Sequence, residues 1–97
     1  MDASNASRVE DRLTAAVPNS ALGMVLDLSD LSFVDSSGVE LFFRLGERLE
    51  HRRQRLAVAL PEDAPVMRVF EIVRFSEKLP VAGSVEEAET LLRTVPR

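Results

Sequence analysis

Asp35, Ser36, Ser37 and Gly38 stand together within VLDLSDLSFVDSSGVELFFRL, Val25 to Leu45, where a strand-like apolar run turns through a polar corner into a helix-like one. A helix N-terminus leaves backbone N–H groups unpaired and carries partial positive charge, so a carboxylate and two hydroxyls are suited to cap it and to favour an anion there. One serine is enough for a cap, which leaves the other to spare. As enzyme chemistry, Ser36 could be a nucleophile, or Asp27, Asp30 and Asp35 an acidic cluster that binds a metal and accepts phosphate. A serine nucleophile needs an adjacent base, and the chain offers one histidine, His51, inside the charged run ERLEHRRQR, and one lysine, Lys78. His51 reads as a solvated imidazole and is given no role. Asp30 stands between Ser29 and Ser32, where short polar residues make turns. The enzymatic reading is therefore the weakest of those considered.

The elements that must hold the corner follow from periodicity. Ser4 to Val17 places Val9, Leu13, Ala16 and Val17 on one side among charged residues and is closed by Pro18 and Asn19, which predicts an amphipathic helix. Met24 to Leu28 predicts a buried strand in which Asp27 needs a partner or an exposed end, and Leu31 and Phe33 continue its apolar lining toward the corner. From Gly38 to Arg53 a helix is predicted whose apolar residues, Val39, Leu41, Phe42, Phe43, Leu45 and Leu49, span more than one core-facing stripe. Arg55 to Leu60 predicts a second strand ending at Pro61. Asp63 with Pro65 opens a helix carrying Val66, Met67, Val69, Phe70 and Val73. Leu79 to Val81 is a brief third strand, and Ser84 with Glu87 forms a capping box ahead of a last helix. Such alternation implies right-handed crossovers and a small, mostly parallel α/β sheet flanked by helices. The corner then falls at the carboxyl ends of the strands, the favoured functional edge.

Composition excludes several classes of function. Ninety-seven residues, 45% apolar and 29% charged, suit one domain over residues 1–97 with one core. A net charge of −4 and aromatics limited to five Phe supply neither a basic phosphate-tracking face nor a base-stacking platform, so nucleic acid is not an expected partner. The absence of Cys and the lone His leave no zinc or multi-histidine centre, and neither metal nor cofactor is expected. No apolar run approaches the roughly 20 residues of a membrane span, and no leader is evident at Met1, which predicts a cytoplasmic protein with no membrane partner.

The stretch LDLSDLSFVDSSGVELFF, together with RVFEIVRFSEKLPVAGSVEEA, resembles the STAS domains of anti-sigma factor antagonists, the bacterial partner-switching proteins; DASNASRVEDRL resembles the family's first helix with its preceding acidic residue. The resemblance covers nearly the whole chain, with its blocks in the family's order. It implies a non-enzymatic binding module whose partner is an anti-sigma factor that is also a serine protein kinase. It implies further that Ser36 is the phosphoacceptor and Ser37 the structural helix cap. The spacing of Ser37 and Glu40 is itself that of a capping box. The kinase would bring its own base, metal and nucleotide. The expected docking surface comprises Asp35, Ser36, Gly38, Val39, Glu40 and Phe43, with Val39 and Phe43 on the helix flank and Phe42, Leu45 and Leu49 facing the core.

Three departures from the family pattern matter. The sequence starts at about the point where the family's usual first two strands would end, so either the true start lies upstream or the domain is shortened, with an exposed sheet edge that would favour pairing between chains as a homodimer. Glu40 replaces a second glycine and puts charge on the docking surface. Arg74 stands where the family often has glycine, so a left-handed helix terminus there would be strained, or the helix must end differently. A constitutive STAS subunit or scaffold of a transport or regulatory complex, never phosphorylated, is the alternative reading.

Overall fold

The strand Arg55–Ala59 explains the layering, because its side chains alternate between two kinds of packing. Leu56 and Val58, with Leu60 just beyond, belong to a core of large aliphatic and aromatic side chains, whereas Ala57 and Ala59 belong to a second core of small ones. A period of two along a strand sends alternate residues to opposite faces, so one short segment can face two different helices. In the computed structural model, which describes residues 3–94 and side chains over 8–93, the order is α1 (Ala3–Ala16), β1 (Gly23–Asp27), α2 (Ser36–His51), β2 (Arg55–Ala59), α3 (Met67–Ile72), β3 (Val81–Ala82) and α4 (Val85–Thr94). A 3-10 turn, Phe75–Glu77, lies between α3 and β3.

The three strands form a parallel sheet in the order β1-β2-β3, with Val25 opposite Ala57 and Ala59 opposite Ala82. This is the expected α/β architecture, a small parallel sheet flanked by helices. On one face, Leu41, Phe42, Leu45 and Leu49 of α2 pack on Leu56 and Val58; on the other, Ala88 of α4 packs on Ala57, Ala59 and Ala82. Leu45 and Leu49 are wholly buried, each contributing about 1.5–3 kcal/mol relative to exposure. At Gly23 a Cβ would lie 2.0 Å from the Arg55 carbonyl oxygen, so only glycine permits β1 to approach β2 this closely.

Helix α1 is held to α2 by polar contacts rather than by apolar packing alone. Glu10, nearly buried, accepts hydrogen bonds from Arg44 Nε at 2.8 Å and Arg48 Nη1 at 3.0 Å, and Arg48 also reaches Asp11 at 3.0 Å. One turn further on, Arg52 donates to the Thr14 and Val17 carbonyls at 3.1 and 2.6 Å, placing its positive charge at the C-terminal end of α1. Arginines four residues apart share one side of a helix, so they form a ladder facing α1. Buried Gln54 completes the join, its amide nitrogen donating to the Pro18 and Ala21 carbonyls at 2.7 and 3.0 Å. Asp2, the acidic residue before the first helix, lies outside the described residues.

Several boundaries move. The third strand, expected over Leu79 to Val81, runs instead from Val81 to Ala82. Leu79 is turned into the core, and Pro80, with no N–H to donate, offers β2 only its carbonyl, which accepts from Val58 at 2.9 Å. Helix α3 starts at Met67 rather than near Asp63, because turns closed by Ala64 N–H to Pro61 O and by Met67 N–H to Ala64 O take up the preceding residues. Phe33, expected to line the core, is 64% exposed. An aromatic cluster seats α3 and the 3-10 turn against α2: Phe75 stacks on Phe70 at 4.4 Å between centroids and meets Phe42 edge-on at 6.2 Å. The chain reaches that cluster through Arg74 in the left-handed conformation, φ 54° and ψ 46°.

That conformation generates a first prediction. Because a side chain in the left-handed region costs about 1–2 kcal/mol and glycine returns part of the gain as chain entropy, Arg74→Gly should stabilise the fold by about 0.5–1 kcal/mol in urea denaturation. A second concerns Glu10. Burial pushes its carboxyl up, but the Arg44 and Arg48 guanidiniums more than offset this and hold it below the ordinary glutamate range. Its stabilisation is therefore fully present above the unfolded-state value and is lost as pH falls through the lower folded value. Glu10→Gln should lower stability by about 1–2 kcal/mol at neutral pH and flatten the acid limb of a stability–pH curve.

Candidate functional site: the corner between β1 and α2

Past β1 the backbone stays on the sheet for one more bond, Leu28 N–H to Ala59 O at 2.9 Å, and then leaves through a turn closed by Leu31 N–H to Leu28 O at 3.0 Å. Asp27 ends β1 exposed; its carboxylate accepts from the Ser29 N–H at 3.0 Å. Hydrogen bonds from the Ser29 hydroxyl and amide hold that carboxyl below the usual aspartate range. Asp27 is thus occupied in shaping the turn. Among the described residues no group of carboxylates and histidines could hold a metal ion, so Asp27, Asp30 and Asp35 do not converge as an acidic cluster.

Asp35, not Ser37, caps α2. Its backbone is extended at φ −102°, and its Oδ1 accepts from the Gly38 N–H at 3.0 Å, while the Asp35 carbonyl accepts from Val39 at 3.1 Å. The helix consequently begins at Ser36, two residues before the expected Gly38, and Ser37 lies inside the first turn, where a cap cannot be. A carboxylate also gains more than a hydroxyl from the positive end of the helix dipole, and the Asp-to-Gly spacing of three places the Gly38 N–H within its reach. Glu40 does not close a capping box either; it is exposed and lies 3.7 Å from Arg44, four residues along.

With the cap assigned to Asp35, neither serine is needed for it. Ser36 is exposed, and its hydroxyl makes no hydrogen bond to any described residue; Ser37 is half-buried. Helical geometry divides α2 into three strips. Leu41, Phe42, Leu45 and Leu49 enter the core, and Arg44, Arg48 and Arg52 face α1. The third strip carries Ser36, Glu40, Phe43 and Glu47 and reaches solvent at every position except Phe43, which is half-buried.

The expected docking surface is therefore only partly at the surface. Ser36 and Glu40 are exposed and Asp35 is half-buried beneath its cap bond. Gly38 and Val39, expected on the docking surface, are both buried; Val39 retains only 7% of its surface and belongs to the core. Phe43 stacks on Phe75 at 5.2 Å between centroids and carries Lys78 Nζ 5.1 Å above its ring, so it offers an edge rather than a face. Phe33, in the loop three residues before Ser36, is the large apolar side chain presented at the corner. No periodic signal could have revealed this, because a loop residue belongs to no repeating pattern. A groove of about 710 Å³, lined by residues such as Glu50, Leu56 and Lys78, lies away from the corner at the start of β2.

A small parallel α/β sheet flanked by helices, with a polar corner at its carboxyl edge, is what this arrangement defines, and the chain belongs to the STAS domain family, whose model matches residues 1–88. It is similar to a protein of Bordetella bronchiseptica named "Putative anti-sigma factor antagonist BtrV", with 33% identity over 99 residues that cover 100% of this chain and 84% of the relative. STAS domains of anti-sigma factor antagonists are non-enzymatic, and this chain is a binding domain. No helix among the described residues is long and apolar enough to cross a membrane.

The cap assignment is directly testable. Asp35→Ala should cost about 0.5–2 kcal/mol in urea denaturation, whereas Ser37→Ala should change stability by no more than about 0.5 kcal/mol.

Proposed function

We propose that this chain is an anti-sigma factor antagonist that docks on an anti-sigma factor with serine kinase activity through the corner around Ser36, and that phosphorylation of Ser36 releases it. The observation that carries the reading is the division between neighbours: Asp35 caps the helix, so the exposed Ser36 hydroxyl is free to accept a phosphoryl group without loss of a structural bond. The similarity to a relative named for antagonist activity supports the choice of partner.

The physics of the modification favours a switch in binding over a switch in folding. A phosphate on Ser36 adds about −1.5 to −2 charges at pH 7 beside Asp35 and one turn from Glu40. The same helix terminus favours an anion by about 0.3–1 kcal/mol, so the opposing effects within the isolated protein are small. In a complex the balance changes. Desolvating a phosphate dianion against a surface with no matching cation costs several kcal/mol, or two or more decades of affinity. Phe33 supplies the apolar contact of the docked state, which moves the centre of the interface from the helix flank to the loop entering the corner.

A second reading is favoured by Glu40. An exposed carboxylate one turn from Ser36 repels an incoming phosphate, as suits a constitutive subunit whose serine is never modified. Incubation with ATP and the anti-sigma serine kinase of the same organism, followed by mass spectrometry, separates the two: the switch requires phosphate on Ser36 and none in Ser36→Ala. Ser36→Glu should lower affinity for that kinase by about a hundredfold with an unchanged urea midpoint. Phe33→Ala should weaken binding by about 1–3 kcal/mol, again with little change in stability, because an exposed side chain holds no core together. Unaltered binding by both variants would remove the corner as the docking site.

A further inference from the structure

We propose that the groove between the end of α2 and the segment entering β3 binds a small organic anion, a carboxylate or phosphate carried on a compact apolar body. The proposal does not depend on the reading of Ser36, because the groove opens at the amino ends of the strands and the corner lies at their carboxyl ends.

Size and lining suit such a guest. The groove holds about 710 Å³, within the range of sites that take small molecules. Among the described residues its walls come from α2, the start of β2 and the residues before β3, and none from the outer side of β1. Leu56 and Leu79, both buried, give it an apolar floor. Gly46 lets α2 settle over that floor, since a Cβ there would stand 2.7 Å from Leu79 Cδ2. Gln54 stiffens the wall between Arg53 and Arg55, because its amide nitrogen donates to the Pro18 and Ala21 carbonyls.

Charge selects the guest. The chain as a whole carries −4, yet the ionisable side chains lining the groove are Arg53, Arg55 and Lys78 against the single carboxylate of Glu50. This local excess of positive charge attracts anions that the net charge of the protein repels. Lys78, the chain's sole lysine, is exposed; its Nζ lies 5.1 Å from the Phe43 ring centroid and in no ion pair among the described residues, which leaves its charge to a ligand. Arg53 stands there at a cost to the backbone. It follows the end of α2 with φ 60°, the left-handed conformation that glycine adopts most easily, and so brings a guanidinium to the groove where a glycine would bring nothing. Forked guanidiniums match the oxygens of carboxylates and phosphates. An inorganic ion would leave Leu56 and Leu79 uncovered, whereas an anion with an apolar body uses both the cations and the floor.

Phenyl phosphate, benzoate and the neutral benzamide share one ring and differ in charge, so their titration into the full chain, followed by amide chemical shifts in NMR, tests the site. Both anions should bind saturably, with the largest shifts at Gly46, Gln54, Arg55, Leu56 and Lys78, and benzamide should bind about tenfold more weakly or worse. Lys78→Gln should weaken phenyl phosphate by about fivefold, and Glu50→Gln should tighten it by about as much, because a like charge then leaves the groove. Both positions are exposed, so circular dichroism and the urea midpoint should be retained. Damage to the fold would weaken binding in both variants, whereas a charge-selected site responds with opposite signs. No saturable shift with either anion, equal binding of benzamide, shifts centred on the Ser36 corner, or the same response from the two variants would overturn the proposal.

Discussion

Nearly everything in this protein depends on α2 being engaged on two flanks at once. Its leucines fill the core above β2, and its arginines reach across to α1, so the helix can neither slide nor rotate without unburying one set or unpairing the other. The two attachments differ in kind. Burial of Leu45 and Leu49 is strong and non-directional, whereas the bonds of Arg44, Arg48 and Arg52 are individually modest but fix distance and angle. A hydrophobic flank alone would leave the helix rotationally soft. Together they set the rotation that leaves one strip, headed by Ser36, facing solvent.

Asp35 connects that rotation to the binding corner. By capping α2 it fixes where the helix starts, which brings Ser36 into the first turn. Had Ser37 been the cap, Ser36 would lie outside the helix. With Asp35 in that position, Ser36 belongs to the first turn, exposed beside the helix's positive end, where added charge does little to the fold and much to whatever packs on it. Such a placement would separate stability from affinity at one residue, as the proposed phosphorylation switch requires.

The two faces of β2 illustrate how a small sheet sustains so many helices. Alanine on the α4 side lets that helix lie close, and large aliphatic residues on the other side fill the wider space beneath α2 and the phenylalanine cluster. Arg74, in the left-handed conformation, shows the cost of routing the chain from α3 into that cluster: the seating of Phe75 beneath Phe42 and Phe70 outweighs the local backbone strain.

The order of elements, the parallel sheet and the polar corner at its carboxyl edge were legible in the sequence, because the periods of two and near four are local and survive without knowledge of what packs where. Leu45 and Leu49 announced the core in this way, and Arg74 announced a strained helix end. The tertiary structure alone decided that Asp35 rather than Ser37 caps α2, that Val39 is core while Phe33 is surface, and that Glu10 lies beneath two arginines. Those outcomes depend on the rotation of one helix and on partners more than thirty residues away in the chain. Local sequence carries periodicity but not phase, and phase is set by the surfaces that meet when the chain is folded.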